Sequence, residues 1–70
     1  MDEQELLHRI SVDTNLNLEL LKDLARNEEF RALVKSGKVM DAIVRVRGNR
    51  PHIGLREAKM AVEAFAAAWK

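Results

Sequence analysis

Apolar residues recur at every third or fourth position along almost the whole chain, and short polar stretches interrupt that rhythm at a few places. Spacing of i, i+3, i+4 gathers side chains on one face of an α-helix, whereas a half-buried strand needs strict alternation. Leu6, Leu7 and Ile10 predict a first helix over about residues 2–11, with acids in its first turn where the helix dipole favours them. Ser11, Asp13 and Thr14 then form a polar break. Leu18, Leu21, Leu24 and Ala25 predict a second helix that starts at 15 or 17 and runs to 26. Thr14 or Asn17 can cap it, because a short side-chain oxygen satisfies the free amides of the first turn. Asn27 followed by Glu28 and Glu29 reads as a fresh cap and an acidic first turn. The segment it opens carries Phe30, Leu33 and Val34 and stops at Ser36-Gly37. The pattern leaves open whether these two segments join as one kinked helix.

A fourth helix is expected over about 38–47, where Val39, Ala42, Ile43 and Val46 fall at i, i+3, i+4 and i+7. Gly48-Asn49-Arg50-Pro51 ends it: Gly48 and Asn49 tolerate left-handed dihedrals, and Pro51 disfavours a helical Arg50. The last helix, over about 55–69, carries the stripe Leu55, Ala58, Val62, Phe65, Ala66 and Trp69 among many alanines. β-strand signals are nearly absent. The expectation is an all-α fold, a small bundle of four to five short helices, with residues 1–70 as a single helical domain. In the final hairpin Ile43 and Val46 are expected to pack against Leu55, Ala58 and Val62. Phe65 and Trp69 then either anchor the core or form a hydrophobic contact patch.

Size narrows the chemistry. Seventy residues bury roughly 60% of their extended surface, enough for one thin core and no large cleft. With no cysteine and only two histidines, neither a disulfide scaffold nor a metal cage is expected. Ser11, Ser36 and Thr14 fall at helix boundaries, where capping is the ordinary use of a hydroxyl. His8 lacks a partner for acid–base work, and Glu28 and Glu29 diverge by about 100° on a helix, so they form no dyad. The Gly48–Gly54 stretch follows no strand and lacks the Lys-Ser/Thr ending of a phosphate loop. A non-enzyme without cofactor or metal is expected. No uncharged run approaches the ~18 residues of a membrane span, and the acidic N-terminus is unlike a secretory signal, which points to the cytoplasm.

The net charge of +1 conceals a division. Residues 1–30 hold eight acids and three bases, or −5, while residues 31–70 hold nine bases and three acids, or +6. The bases crowd around the turn between the last two helices. Lys38, Arg45, Arg47, Arg50, His52, Gly54, Arg56 and Lys59 are therefore the candidate partner-binding residues. Arginines near a helix start can hold the carboxylates of an acidic partner or the phosphates of a nucleic acid. Neutralisation by the acidic N-terminal half, or a plainly solvated face, is the ordinary structural use of the same charges. No aromatic residue is interleaved for base stacking, so nucleic acid is the second choice.

Gly37-Lys38-Val39-Met40-Asp41-Ala42-Ile43, then Arg47, then Ile53-Gly54-Leu55-Arg56-Glu57-Ala58-Lys59 and Val62-Glu63 resembles the helix-loop-helix of the bacterial ribosomal stalk protein C-terminal domain. The resemblance spans residues 37–63, 27 of 70 positions, with Val44 standing where that family has a lysine. A looser likeness is to the ubiquitin-associated-like helical module. In the stalk family the hairpin presents bases to translational GTPases. Position by position, Lys38, Arg47, Arg56 and Lys59 are the matching bases and Gly54 is the matching turn glycine. The resemblance implies docking on a larger protein, in the translation or nucleic-acid machinery, by a small adaptor or regulatory protein of bacterial or bacteriophage type. A nucleic-acid accessory protein using the same bases on phosphates is the alternative, and a second copy of the chain is a further candidate partner.

Overall fold

The computed structural model describes residues 2–48, 50 and 52–69, so the expectations for Asn49 and Pro51 lie outside the described residues. Among those described there are five α-helices and no strand: α1 Glu3–Thr14, α2 Leu18–Arg26, α3 Glu28–Lys35, α4 Val39–Arg47 and α5 Leu55–Ala68. The chain is all-α, a small compact bundle.

Local chemistry sets each boundary. Asp2 caps α1 by accepting from the Gln4 amide at 3.2 Å. The helix then runs three residues past the expected stop, because its hydroxyls do not compete with it. Thr14 Oγ1, buried, donates back to the Ile10 carbonyl at 2.7 Å, and Ser11 Oγ donates to the Leu16 carbonyl at 2.7 Å. Asn15 ends α1 in the left-handed region at φ 61°, a conformation asparagine tolerates. Thr14 thus belongs to α1, and the α2 cap is Asn17, whose Oδ1 accepts from the Glu19 amide at 2.7 Å.

Asn27 settles the open boundary between α2 and α3: the two are separate helices. Its backbone is extended at φ −77°, ψ 114°, which breaks the helical path. Its amide closes α2 on the carbonyls of Asp23 and Leu24, while its Oδ1 accepts from Phe30 N at 2.8 Å to open α3. At the far end of α3, Gly37 takes φ +76°. Its amide meets the Val34 carbonyl at 3.1 Å and the Lys38 amide meets Leu33 at 2.9 Å, the paired bonds of a Schellman stop. That turn aims the chain straight into α4.

The core is one continuous cluster fed by all five helices and by the loop residues Leu16 and Ile53. Its centre is aromatic. Phe30 and Phe65, both fully buried, meet edge to face at 5.7 Å, and Trp69 stacks on Phe65 at 4.6 Å. Phe65 is therefore a core anchor, and Trp69 is half-buried against it with the Arg31 guanidinium 4.8 Å above its ring. Ile43, Val46, Ala58 and Val62 are buried as expected in the last hairpin. Leu55 is not: as the first residue of α5 it is 54% exposed.

Candidate functional site

The eight candidate residues divide by the direction in which the hairpin turns them. Arg45 lies on the flank of α4 that faces α3, and it forms an ion pair with Glu29. Arg50 lies half-buried in the same quarter, in a groove shared with Leu20, Asp23, Asn27 and Arg45. These two bases face acids of the N-terminal half. His52 and Gly54 line a different groove, against the α1–α2 turn and Glu57. Gly54 opens α5 at φ −70°, an ordinary value, and its missing side chain leaves room for the Glu57 carboxylate, which folds over it.

The remaining four bases point outward. Lys38, Arg47, Arg56 and Lys59 are all exposed, and among the described residues none forms an ion pair. Arg47 is nonetheless anchored: its Nε donates to the Ile53 carbonyl at 3.1 Å, which ties the end of α4 to the loop two residues before α5. Arg56 and Lys59, three residues apart, share one flank of α5. Lys38 begins α4 and so stands roughly 13 Å along the helix from Arg47. Arg47 thus ends α4 and Arg56 and Lys59 lie in the first turns of α5, with Lys38 just before the start of α4.

Neutralisation between the two halves of the chain is partial. Among the described residues two ion pairs cross from the acidic to the basic half, Glu3 to Arg31 at 3.6 Å and Glu29 to Arg45, while Lys22 pairs with Glu19 inside the acidic half. Such exposed pairs contribute about 0–1 kcal/mol each, too little to explain why the sequence concentrates bases here. Arg31 does more than its charge suggests, since it also donates to the Ala25 carbonyl at 3.0 Å while covering Trp69.

Other chemistry finds no geometry. Among the described residues no group of three or more metal-ligating side chains gathers, and no helix is long and apolar enough to cross a membrane. His8 is exposed on α1, and Glu29 is engaged with Arg45 rather than with Glu28. The described buried side-chain polar atoms all have hydrogen-bond partners, so none is left aimed at a missing ligand.

One set of residues escaped the charge-based reading. Met40 and Val44 are 68% and 66% exposed on α4, beside the outward bases. The signal was in the sequence: four residues apart, both fall off the Ala42, Ile43, Val46 stripe, so the helix that buries the stripe must expose them. No protein-family model, no curated protein and no solved structure matches this chain.

Proposed function

We propose that the chain is a small non-enzymatic adaptor or regulatory protein that docks on an acidic surface of a larger protein through the outward face of the α4–α5 hairpin. The observation that carries this reading is the concentration of bases within residues 38–59, of which Lys38, Arg47, Arg56 and Lys59 are exposed and form no ion pair among the described residues, beside the paired Arg45. Cations that stabilise a fold tend to sit near its acids. These four face solvent instead, around the last helix hairpin. A helical backbone that is already folded binds at lower entropic cost than a flexible arm. The stalk-like pattern of residues 37–63 supports the same use, in a protein of bacterial or bacteriophage type acting in the cytoplasm.

The test is affinity capture from bacterial lysate with the wild-type chain and with the double variant Arg56→Glu, Lys59→Glu. Both positions are exposed, so the fold should survive the exchange. One dominant protein should be retained by the wild type and lost by the variant; undiminished recovery would sink the site. Duplex DNA held by the wild type at about 200 mM salt would favour phosphate binding instead, since nonspecific contacts weaken steeply with salt.

A further inference from the structure

Among the described residues, four of the five exposed large hydrophobic side chains belong to α4 and α5: Met40 at 68%, Val44 at 66%, Leu55 at 54% and Met60 at 39%. Single apolar residues at a surface are ordinary, but a row of them is the usual mark of a contact site. Here two of them lie in such a row. Met40, Val44 and Arg47 fall at i, i+4 and i+7 along one flank of α4, roughly a third of a turn from the buried Ala42, Ile43 and Val46. Arg47 also reaches the Ile53 carbonyl, two residues before the exposed Leu55 opens α5. None of Met40, Val44 and Leu55 belongs to the core or to the apolar residues packed against it. Their exposure therefore has no structural use within the bundle.

The charges bordering this row are mostly basic, with the exposed Asp41 three residues before Val44 and Glu63 one turn beyond Lys59 as the acids. Arg47 stands in line with it, Arg56 follows Leu55, and Lys59 lies one turn beyond Leu55 on α5. Among the described residues no acid pairs with any of the three. Asp41 borders the row beside Val44, and Glu57 folds over Gly54, which leaves the bases in the majority. Apolar side chains bordered by cations complement an amphipathic helix whose apolar stripe is bordered by acids. An extended peptide has no open sheet edge to join, because the described residues contain no strand. A phosphate backbone would use the cations and leave Met40 and Val44 in water.

We infer that this row seats an acidic amphipathic helix of the partner protein. Its apolar residues cover Met40, Val44 and Leu55, and its Asp or Glu side chains meet Arg47, Arg56 and Lys59. The seven-residue span from Met40 to Arg47 matches about two turns of such a helix. This inference rests on the docking reading above and adds to it the partner's secondary structure and an apolar contact.

The probes are two fluorescent peptides of identical composition, ~14 residues of leucine, glutamate and alanine. One places leucines at i, i+4, i+7 and i+11; the other shuffles them around the helix. Anisotropy titrations against the full chain at low salt should show the patterned peptide bound about tenfold more tightly than the shuffled one. Met40→Ser combined with Val44→Ser should remove that preference without changing the circular dichroism, and Arg56→Glu with Lys59→Glu should weaken both peptides. Equal affinity for the two peptides overturns the apolar row while leaving charge-driven docking in place. No binding of the patterned peptide overturns the inference outright, and if the chain instead holds duplex DNA at raised salt the docking reading falls with it.

Discussion

Arg47 carries two roles that a single substitution can separate. Its charge belongs to the outward face, while its Nε donates to the carbonyl of Ile53 at 3.1 Å. Ile53 is only 3% exposed, so the loop is held at a point where the backbone is leaving solvent. Hydrogen bonds with a charged partner contribute about 1.5–3 kcal/mol. Arg47 is itself exposed, which places the expected loss for Arg47→Gln at the lower end, about 1–2 kcal/mol once the favourable charge at the α4 C-terminus is included. Stabilities of about 0.05–0.15 kcal/mol per residue make that a substantial fraction of the total for a chain of this size. The assay is urea unfolding followed by far-ultraviolet circular dichroism and by Trp69 fluorescence. In a parallel thermal melt the midpoint should fall by about 4–8 °C for each kcal/mol lost. Arg56→Gln, equally exposed and without a hydrogen bond among the described residues, should stay within about 0.5 kcal/mol of wild type. Arg47→Lys should recover the charge at the helix end but not the planar donor, and so fall between the two. Identical stability of the Arg47→Gln and Arg56→Gln variants would refute the loop tie.

Two further substitutions probe the frame that holds the hairpin. Phe30→Ala removes a fully buried ring that meets Phe65 at 5.7 Å and Trp69 at 6.1 Å, and should cost about 3–5 kcal/mol, enough to leave the chain partly unfolded at 37 °C by circular dichroism. A loss under about 1 kcal/mol would mean the aromatic cluster is not the centre of the core. Asn27→Ala removes the cap of α3 where α2 ends, for an expected loss of about 1 kcal/mol with increased amide exchange at Phe30; unchanged exchange there would show the cap to be idle.

The sequence reveals the helices best where apolar spacing and a capping side chain agree. Asn27 with Glu28 and Glu29 marks the start of α3, and Ser36-Gly37 marks its end, since both signals are local and the residues involved have few other uses. The end of α1 is harder to read. Ser11 and Thr14 carry the same hydroxyl whether they stop a helix or bond back into it, and only the placement of Leu16 and Ile10 decides between the two. At the site, residue type alone cannot separate Arg45 from Arg47. Both are arginines of one helix, two residues and thus about 200° apart, and the direction of each depends on where α3 packs. Leu55 failed as a core residue for a related reason: periodicity assigns a face, but a residue at a helix end can lie beyond its neighbour's reach.

The central claim is that the outward face of α4 and α5 is the docking surface. Amide chemical shifts of the isotope-labelled chain, recorded while the patterned acidic peptide is added, test it residue by residue. The largest changes should fall on Met40, Val44, Arg47, Leu55, Arg56 and Lys59, with Arg45 and the α1 residues little moved. Changes centred instead on the groove between α1 and α5, at Glu3, Arg31 and Trp69, would contradict the claim.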